Sequence, residues 1–285
     1  MSLAKNPSPP TQVLFFWDYD TQWGADRSRM AGGPKAWGPL EFEHTDTLLE
    51  LHAEYDVPAC FAVVGAAALP GQRPYHAPEQ IRQIHAAGHE VASHSHRHEW
   101  LPALDPGELR ETLRLSKDSL EQCIGAPVTS FVPPWNQPFD FPGRLSFSLS
   151  ERREAGSDRT DLMRLCRMLG ETGYEFCRVA YRPLPLRLKD RIFGRKEGPR
   201  RTESIARVTC LRLNGFGFAR STGDLLERCV RKGGFAVIYA HPHSLKSGDA
   251  QDQKYLVPFL QSVSRLKKEG ALRVVLPRDL NGLTA

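Results

Sequence analysis

No stretch of the 285-residue chain approaches the ~20 consecutive apolar residues that cross a bilayer. Its opening, Met1-Ser-Leu-Ala-Lys-Asn-Pro-Ser-Pro-Pro10, has no apolar segment of the secretory type. A transmembrane segment and a leader are therefore not expected, and the expected compartment is the cytoplasm. The six cysteines, at 60, 123, 166, 177, 210 and 229, form no CxxC pair and no zinc-ribbon spacing. Several lie inside apolar runs such as Ala59-Cys60-Phe61, which reads as reduced, buried thiols rather than a disulfide framework. The formal charge of +5 is mild, and no basic element carries interleaved aromatics, so a nucleic-acid partner is not expected. The dense basic run lies between Arg182 and Arg201, with Arg187, Lys189, Arg191, Arg195, Lys196 and Arg200. It reads either as a solvated loop or as a surface that meets an anionic substrate such as a phosphate-linked sugar. There is no Gly/Ser-rich linker or break in composition. Residues 1–10 are expected to be a disordered or vector-derived lead, and 11–285 one domain.

What the chain does have is alternation. Val13–Trp17 is an apolar run that reads as a buried strand, followed by a Gly- and Pro-rich loop and a helix from Glu41 to Tyr55. Pro58–Val64 reads as a strand, Pro78–Ala87 as a helix, and Glu90–Ser93 as a strand. Asp105-Pro-Gly-Glu opens a long helix that runs to Ile124 and stops at Gly125. Thr129–Val132 is the next strand, and Pro138–Arg159, which has no period, reads as a loop. Helices over Leu162–Leu169, Leu225–Val230 and Leu256–Lys268 then alternate with strands over Phe176–Tyr181, Val208–Leu213, Phe235–Tyr239 and Leu272–Leu276. The repeated alternation predicts an α/β domain with a parallel sheet, and seven or eight strands favour a barrel over an open sheet. In such folds function gathers where strands end. Asp18 and Asp20, His94 and His98, Trp135, and His241 all fall at carboxyl ends of predicted strands.

The densest of these clusters is Val91-Ala-Ser-His94-Ser-His96-Arg-His98. On a helix His94 and His98 share a face, and on an extended chain all three histidines do. Two imidazoles can therefore converge, which suits a metal, although a surface histidine tract has the same composition. Asp18 and Asp20 alternate on one extended segment and can face the same way, or can simply close the strand as an Asx turn. Joined to the histidines, one aspartate completes a two-His-one-carboxylate set of the zinc or non-haem iron type. The other is left to act as base towards water, whose pKa a bound zinc ion lowers to about 7.

These residues resemble the polysaccharide deacetylase family, the NodB-homology or carbohydrate esterase family 4 type. Phe16-Trp17-Asp18-Tyr19-Asp20 resembles its first motif, and His94-Ser95-His96-Arg97-His98 meets its His-Ser/Thr-x-x-His motif in full. Val132-Pro133-Pro134-Trp135 resembles the third motif and Ile238-Tyr239-Ala240-His241 the fifth. The resemblance implies a distorted (β/α)7-type barrel, a single domain, and a metal-dependent hydrolase that removes an N-acetyl or other short acyl group from an amino sugar or glycan. It further implies that Asp20, His94 and His98 hold a divalent ion, zinc foremost, with iron, cobalt or nickel as alternatives. Asp18 is then the base, His241 the acid, and Ile238 a wall of the acyl pocket. Trp135 and Trp23 are candidate sugar-stacking walls or rim packing, and Asn136 a candidate partner for a sugar hydroxyl. His96 is expected to be no ligand, and His243 is a second candidate acid. The family's third-motif arginine is missing, since Val132 stands there, and Arg27, Arg182 and Arg212 are its candidate replacements. The fourth-motif aspartate has no evident counterpart. Two further readings follow: a deformylase of a lipid- or phosphate-linked amino sugar, and a non-catalytic, metal-containing carbohydrate-binding protein. Oligomeric state is not written in the sequence.

Overall fold

A computed structural model describes residues 10–27, 37–138, 161–180, 202–245 and 253–280, with single positions at 185, 188 and 192. The expected loop beyond Pro138, every cation of the basic run, and the lead apart from Pro10 lie outside the described residues.

The strands are β1 (Thr11–Tyr19), β2 (Cys60–Val63), β3 (Glu90–Ser93), β4 (Ser130–Phe131), β5 (Phe176–Val179), β6 (Glu203–Ile205), β7 (Val208–Arg212), β8 (Gly215–Phe216), β9 (Phe235–Ala240) and β10 (Leu272–Val274). They form one sheet in the order β6-β7-β5-β4-β3-β2-β1-β9-β8, with β10 also paired to β1. All pairings are parallel except β6 with β7. The chain from β7 to β8 carries the sheet round on itself. The Leu213 N–H donates to Val179 O (2.8 Å) on one side and the Asn214 N–H to Val237 O (3.1 Å) on the other. The Asn214 side chain adds bonds to Phe235 O and Val237 N, both 2.8 Å. The result is the expected distorted α/β barrel, curled and imperfectly closed.

The α-helices are α1 (Thr21–Arg27), α2 (Gly38–Tyr55), α3 (Pro78–Ala86), α4 (Pro106–Ile124), α5 (Leu162–Glu171), α6 (Arg220–Lys232) and α7 (Gln253–Lys268). The expected helices and main strands all form. The sequence reading missed the short α1, which lies where a Gly- and Pro-rich loop was expected, and the brief β6 and β8. The α4 N-terminus is a capping box. Asp105 Oδ1 accepts from the Glu108 N–H (2.8 Å) and Glu108 Oε2 from the Asp105 N–H (2.9 Å), and Gly125 closes the helix with φ 69°.

Strand alternation sorts the buried residues into two layers. Leu14, Phe16, Cys60, Ala62, Phe176 and Val237 fill the inside of the curl, while Phe15, Trp17, Phe61, Val63, Cys177 and Ile238 pack outward against the helices. Both faces of β1 are therefore covered, which is why it reads as a continuous apolar run. In the outer layer, His52 Nε2 accepts from Trp17 Nε1–H (2.9 Å) and its Nδ1–H donates to Val57 O (2.6 Å), a set that only neutral imidazole satisfies. Burial, reinforced by the neighbouring His89, holds the His52 pKa down to about 3, and burial holds His89 down to about 4. Both folded values lie below the unfolded value of 6.5. The unfolded chain therefore takes up more protons as pH falls, and stability falls with it, by up to about 1.4 kcal/mol per pH unit for each histidine. Urea midpoints should drop steeply from pH 6.5 to 4.5 and less steeply in His52→Gln. Parallel wild-type and variant curves would contradict this assignment.

Candidate active site

The inward positions of β1 continue past Leu14 and Phe16 to Asp18 and then to Asp20, each 3% exposed. His94 follows β3 directly, and the loop beyond it turns back through left-handed Ser95 (φ 63°) and His98 (φ 56°). Such conformations in non-glycine residues need support from their surroundings. Gly65 N–H donates to Ser95 O (2.9 Å) and Ala66 N–H to His96 O (2.7 Å). Ser116 Oγ of α4 also donates to Ser95 O (2.9 Å). A Cβ at Gly65 would lie 2.5 Å from Ser116 Cα, so glycine there is what lets α4 approach closely enough to tie the histidine loop.

His94 Nδ1–H donates to Val132 O (2.7 Å), which leaves the Nε2 lone pair facing inward. Nε2 of His94 lies 3.3 Å and Nε2 of His98 3.5 Å from Asp20 Oδ1. The three side chains offer ligand atoms within 4.8 Å of one another, and all three residues are buried. Asp20 Oδ1 itself has no hydrogen-bond partner, an orphaned buried oxygen of the kind a cation satisfies. The set thus fits a divalent ion. Burial pushes Asp20 up, but His98 and His94 outweigh it and hold the carboxyl below its ordinary range. Burial likewise depresses His94, yet Asp20 and Asp18 together raise it, while burial brings His98 down to about 3.

Asp18 is gripped from across the barrel. Arg178 of β5, fully buried, donates from Nη1 to Asp18 Oδ1 and from Nη2 to Asp18 Oδ2, each at 2.6 Å. The guanidinium lies over the rings of Tyr239 (4.6 Å) and Phe16 (5.3 Å). Burial pushes Asp18 upward, but Arg178, then His94, more than offset it, so the carboxyl is held low and ionised. Arg178 was not among the replacements expected for the arginine missing at Val132. Arg27 ends α1, Arg212 donates to Ala180 O (3.0 Å), and Arg182 lies outside the described residues. A sequence signal for Arg178 existed: it falls two residues after Phe176, at an inward position of a buried strand, where a lone cation needs an anion.

His241 Nε2 lies 3.9 Å from Asp18 Oδ2 with the side chain 25% exposed, and burial lowers its pKa. Ile238 requires a correction. It is fully buried in the outer layer, where a Cβ on Gly215 would touch both Ile238 and Leu225 of α6. Strand alternation places Ile238 out of phase with His241, so it cannot wall a pocket at the mouth, and the inward neighbour is Tyr239. Asn136, expected near a sugar hydroxyl, accepts through Oδ1 from Arg178 Nη2 (3.1 Å). Trp135 sits edge-on to His98 at 4.2 Å and buttresses that imidazole from the mouth side. Trp135 and Asn136 are consecutive left-handed residues (φ 51° and 55°), strain that places both side chains. Trp23 packs edge-on to Tyr75 (5.1 Å) beneath the Arg97 guanidinium (5.5 Å). His96 stands outside the ligand cluster. His243 is turned away from Asp18: it stacks on Trp37 (4.1 Å) with Nδ1 3.5 Å from Glu41 Oε1. Glu41, fully buried on α2, is a residue that sequence reasoning missed entirely.

Fold and site define an α/β barrel whose mouth holds a buried Asp–His–His cluster beside an arginine-braced carboxylate and an imidazole. Residues 37–138 match the family model for polysaccharide deacetylase, a span that includes both histidines and Trp135 but neither aspartate nor His241. A candidate polysaccharide deacetylase from Mycobacterium smegmatis shares the fold with a TM-score of 0.56 at 18% identity, over 96% of each chain. A peptidoglycan N-acetylglucosamine deacetylase aligns at 15% identity over 94% of this chain and 87% of its own, TM-score 0.49. A family 4 carbohydrate esterase pseudoenzyme from Bacillus anthracis aligns at 17% over 93% and 63%, TM-score 0.45. The resemblance carried by the motifs is thus borne out by the family model over residues 37–138 and by the fold.

Proposed function

We propose that this chain is a metal-dependent carbohydrate deacylase of the polysaccharide deacetylase type, acting in the cytoplasm on an N-acetylated or otherwise short-acylated amino sugar or glycan. The observation that carries the reading is the orphaned Asp20 Oδ1 facing His94 and His98, one strand step from a carboxylate held ready by Arg178. Asp20, His94 and His98 would hold the ion, for which zinc is our first choice and iron, cobalt or nickel suit the same donors. Bound there, a divalent cation acts as a Lewis acid that acidifies water and polarises an acyl carbonyl.

The chain's own residues do the rest. Asp18, ionised and fixed by two hydrogen bonds, accepts the proton that water gives up as it attacks the acyl carbon. His241, neutral at rest because burial lowers its pKa, receives a proton from the Asp18 side, 3.9 Å away, and delivers it to the departing amine. Tyr239 and Phe16 shield the Arg178–Asp18 pair from water, which strengthens it. In our reading Arg178 takes, from β5, the place of the absent third-motif arginine, which weighs against a non-catalytic protein. Incubation of zinc-loaded protein with acetylated and formylated amino sugars, free and lipid-linked, should release acetate or formate. Release of formate alone from the lipid-linked sugar would make it a deformylase. Sugar binding with no acid released from any substrate would overturn the enzymatic reading.

A further inference from the structure

Beyond the three side chains that would hold the ion, the structure shows how the segment carrying one of them is fixed. The peptide units at Asp20 and Thr21 are gripped on both sides by the start of α2. The Glu41 carboxyl accepts the Asp20 N–H on Oε1 (3.1 Å) and the Thr21 N–H on Oε2. Trp37 Nε1–H donates to Thr21 O (2.9 Å). Thr21 is left-handed, with φ 54°, a conformation unfavourable for a β-branched residue unless its surroundings impose it. Behind this grip, His243 stacks on Trp37 and faces Glu41 Oε1 at 3.5 Å. Glu41 is fully buried, and it reaches towards the ligand set through the Asp20 backbone.

We infer that Glu41 is a positioning residue for the metal ligand Asp20: together with Trp37 and His243 it imposes the left-handed turn at Thr21 and so aims Asp20 Oδ1 at the two histidines before any ion arrives. This rests on the metal-dependent reading above. It also gives His243 a role distinct from that of His241, as support for Glu41. Glutamine at 41 keeps the shape but not the function. Whichever way its amide is turned, the NH2 group meets either the Asp20 or the Thr21 N–H, donor against donor.

The test is zinc affinity by competition with a chromophoric chelator, for wild type and Glu41→Gln, with far-UV circular dichroism to show that both are folded. Zinc affinity should fall at least tenfold in Glu41→Gln. Glu41→Asp, one methylene too short to span both N–H groups, should fall likewise and serves if the glutamine variant does not fold. In zinc-free wild type, the amide protons of Asp20 and Thr21 should exchange slowly, a readout that needs no variant. Affinity within twofold of wild type, or Asp20 and Thr21 amides exchanging at unstructured rates without zinc, would overturn the inference while leaving the deacylase reading intact. Wild type that binds no zinc or related ion would instead sink the deacylase reading.

Discussion

Replacing Arg178 with glutamine should lower kcat/KM about 10³-fold while leaving zinc stoichiometry unchanged. The side chain is fully buried and makes both hydrogen bonds to Asp18, so its loss strands a buried carboxylate without its chief partner. With Arg178 gone, the burial that pushes Asp18 upward loses its chief opponent. Asp18 would then hold a proton and could not accept one, which removes the ~10²–10⁴-fold typical of acid–base assistance. Breaking a buried pair also destabilises the fold by about 3–5 kcal/mol. Arg178→Lys should fall between, since it keeps a charge but loses the two-pronged grip. The double variant Arg178→Met with Asp18→Asn should recover much of the stability and none of the activity, because it removes the uncompensated charge along with the base. Full turnover in Arg178→Gln would show that Asp18 is not the base.

His94→Ala should abolish turnover and weaken zinc binding by more than the 10–100-fold that losing an outer partner of a metal ligand costs. His94 supplies one of three converging donors, and its ring is set by the bond from Nδ1–H to Val132 O. Without it two donors remain, too few for a catalytic site. Thermal unfolding gives a second readout. Zinc at 100 times its Kd should stabilise wild type by roughly 2.7 kcal/mol and leave His94→Ala unmoved. Equal zinc-induced shifts in both proteins would place the ion elsewhere.

The part of this site that was legible in the sequence is the part encoded locally. His94 and His98 stand four residues apart, Asp18 and Asp20 two apart on one extended segment, and the capping box at Asp105 is written in four consecutive residues. The barrel followed from alternation, because strands covered on both faces leave apolar runs. What escaped is what the curl of the sheet creates. Arg178 and Asp18 are 160 residues apart and meet only across the barrel. Glu41 sits among helix residues, and nothing near it signals that its carboxyl holds the backbone of another segment. The Ile238 error had a different origin. The motif resemblance put it beside His241, whereas strand periodicity already placed the two on opposite faces, and the periodicity was the better guide. Asn136 shows the same limit: its strained turn is local, but the guanidinium it meets is not.

The most direct test of the account is a calorimetric titration of metal-stripped protein with zinc, wild type beside Asp20→Asn, followed by substrate assay of the same samples. The account predicts one ion per wild-type chain, activity restored in proportion to the ion bound, and neither binding nor activity in Asp20→Asn. Wild-type hydrolysis that persists in the stripped protein, or zinc bound equally well by Asp20→Asn, would contradict it.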